Sequence, residues 1–160
     1  MKVKVLYEEE VTYDSPATER FGDWSRSLNS NLVGVFKKVD SWNAVEFEIP
    51  DETKQVYVVY ASYSDGDTFG RESGKMAVLQ CIPVDGKENE QRARELTERC
   101  REQLCNGWKY RSEEPENPID FDEIENYWDV FGYFTSVDDV SCNLFNVEDI
   151  PPGGRGNSLF

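Results

Sequence analysis

Strict alternation opens the chain. In KVKVLYEEEVTY, residues 2 to 13, Val3, Val5 and Tyr7 fall on one side of a pleat, which predicts a strand. Residues 14 to 31 carry neither a helical nor a strand period and read as a loop. Leu32 to Lys38 and Trp42 to Ile49 predict two further strands about Val39-Asp40-Ser41. In the second of these, Asn43, Val45, Phe47 and Ile49 oppose Trp42, Ala44, Glu46 and Glu48, and Pro50-Asp51 ends the run. QVYVVYASY, residues 55 to 63, is the stretch richest in β-branched and aromatic side chains and predicts a central strand; KMAVLQCIPV, 75 to 84, is its expected antiparallel partner.

The period then changes from two to between three and four. Ala93, Leu96, Cys100 and Leu104 form one narrow apolar stripe in a helix predicted over Gly86 to Cys105. Asp85 with Glu88 matches a capping box, and Asn106-Gly107 supplies a left-handed stop. On the flanks of the stripe, Arg92, Arg94, Arg99 and Arg101 interleave with Glu90, Glu95, Glu98 and Glu102 at ion-pair spacings, so the helix reads as a neutralised packing element. Beyond it, 111 to 118 is a polar connection. IDFDEIENYW, 119 to 128, predicts a short acidic helix. Tyr127 to Val137 and Val140 to Val147 predict a last hairpin about Asp138-Asp139, and PPGGRGNSLF has the composition of a flexible tail, 151 to 160. Runs of strands with one helix after a hairpin imply an α+β fold, mainly antiparallel sheet under one principal amphipathic helix, in a single domain over 1 to 150.

Composition narrows the chemistry. At 160 residues the chain can bury a packed core, and 9 Phe, 8 Tyr and 4 Trp oppose disorder despite 31% charged residues. No apolar run approaches the roughly 20 residues of a membrane span, and the first residues lack a signal-like apolar segment, so a cytoplasmic protein is expected. Cys81, Cys100, Cys105 and Cys142 form no CxxC pair and have no histidine to join them, which disfavours structural zinc and reads as small core thiols. The absence of histidine also removes Ser-His and Cys-His nucleophile pairs, and no catalytic residue, metal ligand set or cofactor is assigned.

Charge is unevenly placed. The net charge is -15, yet twelve acids and no Lys or Arg lie between Ser112 and Gly154, leaving 20 acids against 17 bases elsewhere. A solvated face that aids solubility is one reading. The segment, however, also holds Phe121, Tyr127, Trp128, Phe131, Tyr133, Phe134 and Phe145, so it is expected to be folded rather than an acidic tail. A folded surface of this sign repels nucleic acid and attracts a basic groove. The candidate partner-binding residues are Glu113, Glu114, Glu116, Asp120, Asp122, Glu123, Glu125, Tyr127, Trp128, Asp129, Asp138 and Asp139.

YSDGDTFGRESG, residues 63 to 74, is the other candidate. Asp65, Asp67 and Gly70 match an EF-hand calcium loop, but Phe69 stands where a third oxygen ligand belongs and Met76 where the bidentate glutamate belongs. Asp65, Asp67 and Glu72 offer a Mg²⁺ reading for phosphoester chemistry; the simpler one is a hairpin loop that uses Gly and Asp for their turn conformations. A short, gapped similarity to TYDSPATERFGDWSR, 12 to 26, has two readings, chance or two alike hairpins plugged by Phe21 and Phe69. Asp65, Asp67, Phe69 and Glu72 are therefore assigned as a second contact surface.

VYVVYASYSDGDTFGRESG resembles a strand-loop segment of small bacteriophage proteins, and the size, acidity and clustered carboxylates resemble phage anti-defence inhibitors of the anti-CRISPR and DNA-mimic kinds. That resemblance implies a host bacterial cytoplasm and a nuclease or other nucleic-acid effector as target. The expectation is a non-enzymatic inhibitor that lays an acidic, aromatic-containing surface on the basic groove of a bacterial nucleic-acid-binding protein, without binding nucleic acid or membrane itself. The alternatives are a metal-dependent phosphoester enzyme using the 65 to 72 loop and a structural or assembly protein.

Overall fold

The computed structural model describes residues 1–7, 10–14, 35–39, 43–66, 70–105, 114–132 and 134–150. Among these residues, seven strands, β1 (Lys2–Tyr7), β2 (Glu10–Asp14), β3 (Val35–Val39), β4 (Asn43–Glu48), β5 (Gln55–Gly66), β6 (Arg71–Pro83) and β7 (Ser136–Asn146), accompany two helices, α1 (Lys87–Cys105) and α2 (Tyr127–Phe131). The fold is α+β, as the order of periods predicts. β1 and β4 form a two-stranded sheet; the other five run in the order β3-β2-β6-β5-β7, with every neighbour antiparallel.

β5 is apolar on both faces because both faces are covered. Tyr57, Val59, Ala61 and Tyr63 join Ala77, Leu79 and Ile82 of β6 beneath Ala93, Leu96, Cys100 and Leu104 of α1. Val56 and Val58, with Val78 and Cys81, meet Val3, Val5, Phe47 and Ile49 of the β1–β4 layer. Such double burial turns the expected alternation into a continuous apolar run. Full burial of each valine contributes about 1.5–3 kcal/mol. A bulge at Leu79, where Val59 pairs with Gln80 but Tyr60 with Val78, flips the parity so that Leu79 and Ile82 reach the same layer.

Several expectations change. The strand predicted over 2 to 13 is two strands in different sheets. β3 and β4 exist, but they pair with β2 and β1 rather than with each other. No turn interrupts Asp138-Asp139: β7 runs through them along the long free edge of β5, and the surplus residue is absorbed as a bulge, with Ser62 opposite Asp139 and Tyr63 opposite Val137. Tyr127 to Phe131, expected as strand, is α2. The acidic helix predicted over 119 to 128 is mostly turns. At the start of α1, the Asp85 carboxylate receives the Asn89 side-chain amide, and Gly86 supplies the first carbonyl, accepting from the Glu90 N–H at 3.5 Å. Asn106-Gly107, Phe21 and the 151 to 160 tail lie outside the described residues.

The stretch 63 to 74 is chiefly strand. β5 continues to Gly66 and β6 resumes at Arg71, with Asp65 opposite Glu72. Ser73 and Gly74 together oppose Ser64, and Gly74 takes φ 78, the left-handed conformation that a glycine bulge requires. Gly66 is needed for close approach, since a Cβ there would stand 2.3 Å from the Gly70 carbonyl oxygen. Among the described residues no helix is long and apolar enough to cross a membrane.

Candidate functional site

β2 pairs with β6 only over Arg71 to Ser73, so the rest of that edge needs another cover. Residues 119 to 126 provide it. The Glu125 N–H donates to the Leu79 carbonyl at 2.8 Å, the Asn126 side-chain amide to the Val78 carbonyl at 2.8 Å, and the Gln80 amide to the Glu123 carbonyl at 2.9 Å. Asn126 holds φ 55, a left-handed value that Asn tolerates better than most residues, and so turns the chain into α2. Ile119, Ile124 and Val130 are the buried anchors of the segment.

α1 fastens the other side. Gln103, buried, donates to the Asn117 carbonyl at 2.7 Å and accepts from the Ile119 N–H at 2.9 Å. Arg99 binds both oxygens of Glu123, at 2.8 and 3.0 Å, and reaches the Asn117 and Pro118 carbonyls. The Asp120 carboxylate accepts the Asp122 N–H at 2.9 Å, closing a local turn in place of a helical one.

This scaffold pushes aromatic rings outward. Phe121 is 61% exposed and Trp128 74%, their rings near parallel (19°) with centroids 6.4 Å apart. Tyr127 stands edge-on to Trp128 at 5.3 Å and stacks on Phe131 at 4.8 Å. Tyr127 and Trp128 belong to the contact set expected from sequence and Phe121 does not, although the D-F-D pattern, an apolar ring between two acids, marks it.

The carboxylates divide into two groups. Glu123 and Asp139 are compensated by α1. The Arg99 guanidinium holds the Glu123 carboxyl below its ordinary range, and the Arg99 pKa rises in return. Asp139 is held low by the Ser141 hydroxyl first, then by the Val140 amide and by Arg101, which lies 3.3 Å away. Arg101 also pairs with Glu98 and donates to the Val140 carbonyl. Glu123 and Asp139, both in the expected contact set, therefore also serve the fold. Among the described residues, Glu114, Glu116, Asp120, Asp122, Glu125, Asp129 and Asp138 are exposed and form no ion pair. Of these, Asp120, Asp122, Glu125 and Asp129 flank the aromatic rings in sequence. Glu114 and Glu116 precede the clasp, and Asp138 sits at the β7 bulge. Glu113 lies outside the described residues.

The second candidate surface is only partly described, because Asp67 and Phe69 fall outside it. Asp65 and Glu72 share the Lys75 ammonium, at 3.2 and 3.7 Å, and Lys75 also lies 5.4 Å from the Tyr63 ring centroid. Arg71 donates to the Ser64 hydroxyl at 2.8 Å and toward the Phe134 carbonyl at 3.4 Å, placing the hairpin tip beside exposed Phe134 and the start of β7. Among the described residues no group of three His, Cys, Asp or Glu side chains is placed to hold a metal ion.

The thiols are packing groups. Burial pushes Cys81 and Cys100 up to about 12, and it also raises Cys105. Cys105 and Cys142 are half-buried against the α1 layer. Compared with known proteins, the chain matches no family model, no curated protein sequence and no solved structure.

Proposed function

We propose that this chain is a non-enzymatic interaction protein whose surface over residues 120 to 131 docks on a basic, nucleic-acid-handling site of a bacterial protein and keeps nucleic acid off it. One observation carries the reading: Phe121 and Trp128 stand largely in water on a segment hydrogen-bonded to β6, and among the described residues the neighbouring Asp120, Asp122, Glu125 and Asp129 form no ion pair. Exposed aromatics ringed by polar groups are what a docking patch presents, and aromatic anchors dominate binding energy once desolvated. Unpaired carboxylates add steering toward a positive groove and a penalty against nucleic acid. The phage anti-defence resemblance in sequence is consistent with this partner class. The metal-dependent alternative loses support, because the Lys75 ammonium already takes two of its three carboxylates.

The test is affinity capture from a bacterial lysate with the wild-type chain and with a variant carrying Asp120→Asn, Asp122→Asn, Glu125→Gln and Asp129→Asn. Glu123 is left intact because it holds the fold. The reading expects nucleic-acid-binding proteins to be enriched by the wild type, displaced by duplex DNA and lost with the variant. Capture that the variant retains in full, or that DNA does not displace, refutes it; a basic structural subunit as the displaced species moves the assignment to assembly.

A further inference from the structure

We infer that the aromatic patch is a stacking platform for an arginine side chain of the partner, an inference that rests on the docking reading above. The rings of Phe121, 61% exposed, and Trp128, 74% exposed, lie within 19° of parallel with centroids 6.4 Å apart. Tyr127 stands edge-on to both, 89° from Trp128 and 70° from Phe121, and stacks on Phe131. A planar cation seats on an exposed ring face at ordinary carbon contact distance, about 3.5–4 Å, and both exposed rings offer such a face.

The chemistry of the occupant follows from the surroundings. Ring faces attract cations, and among the described residues no Lys or Arg of the chain itself lies over Phe121 or Trp128. Asp120, Asp122, Glu125 and Asp129, next to the rings in sequence and free of ion pairs, supply acceptors for N–H groups. A guanidinium satisfies both features at once: it is planar, weakly hydrated and carries five donors at its edge. An ammonium is compact and strongly hydrated, so it gains less from a flat ring face. A nucleobase also stacks on rings, but it arrives on phosphates, which a twelve-acid segment without bases repels.

Fluorescence anisotropy with labelled deca-arginine and deca-lysine peptides separates these terms. The wild type is expected to bind the arginine peptide more tightly by about fivefold, the size of a partly desolvated cation–π contact. Trp128→Ala and Trp128→Leu should both bring that ratio to near one while leaving lysine-peptide affinity within about twofold; Leu keeps apolar bulk and removes only the ring face. Since Trp128 is mostly exposed, both variants keep the wild-type thermal midpoint. Equal binding of the two peptides by the wild type, or a preference that survives Trp128→Leu, overturns the arginine platform and leaves the docking reading standing. Failure to bind either peptide removes both.

Discussion

Replacing Glu123 by Gln should lower stability by about 1–1.5 kcal/mol. The carboxylate accepts two guanidinium N–H bonds from Arg99, at 2.8 and 3.0 Å, and the two side chains are 37% and 23% exposed. Fully exposed pairs contribute about 0–1 kcal/mol, and hydrogen bonds to buried charges about 1.5–3, so a half-covered bidentate pair falls between. The Gln oxygen keeps one acceptor. Arg99→Met loses the pair and also the contacts to the Asn117 and Pro118 carbonyls, but those face solvent and regain water, so the loss should be about 2 kcal/mol. Urea melts of the wild type, both single variants and the double variant give a coupling energy, expected near 1 kcal/mol with unchanged m. The pH dependence supplies an internal check. The folded-state pKa of Glu123 is depressed, so its contribution is present above its ordinary value of 4.5 and lost as pH falls through the folded value. Wild type and Glu123→Gln should therefore differ by a constant amount at neutral pH and converge in acid. A coupling energy under about 0.3 kcal/mol, or a gap that persists at the acid limit, would show that Glu123 is a surface carboxylate like its neighbours and undo its separation from the contact set.

Three further substitutions or modifications probe the scaffold. Asn126→Ala should cost about 2–3 kcal/mol, combining left-handed strain with the lost bond to the Val78 carbonyl, whereas Asn126→Gly, free of the strain, should cost about 1 kcal/mol less; equal urea midpoints would contradict this. Gly66→Ala should cost about 1–3 kcal/mol, because the new methyl meets backbone at 2.3 Å; a neutral thermal melt would mean that the hairpin tip is built differently. Cys81 and Cys100, with thiols raised to about 12 by burial, should react with an aromatic disulfide reagent only as the protein opens, after Cys105 and Cys142; four equal rates would refute the core assignment.

The parts of the molecule read correctly from sequence are those whose period has a single cause. Val45, Phe47 and Ile49 turn inward while Ala44, Glu46 and Glu48 turn outward, and all four apolar residues of the α1 stripe are buried. What sequence hides is pairing at a distance. Arg99 lies on the helix among glutamates at ion-pair spacing, yet its bidentate partner is Glu123, 24 residues away; Arg101 likewise reaches Asp139, 38 residues on. Asp138-Asp139 carries the composition of a turn, but the edge of β5 offers a continuous ladder, and a bulge absorbs the misfit more cheaply than breaking the strand. Asp120 to Asn126 carries helical spacing, but its backbone and side-chain groups are recruited by Val78, Leu79 and Gln80. The acidity of the site is thus visible in the sequence; its division into structural and exposed carboxylates requires the tertiary contacts.

The central claim, that the 120 to 131 surface occupies a nucleic-acid site, is tested most directly by competition on a captured partner. Labelled duplex DNA bound to that partner is titrated with the wild-type chain, and the titration is repeated as salt rises from about 50 to about 200 mM. The account predicts stoichiometric release of the DNA, no ternary complex, and an inhibitor affinity that falls with salt and with removal of the four unpaired carboxylates Asp120, Asp122, Glu125 and Asp129. A stable ternary complex, or an affinity indifferent to salt, would contradict it.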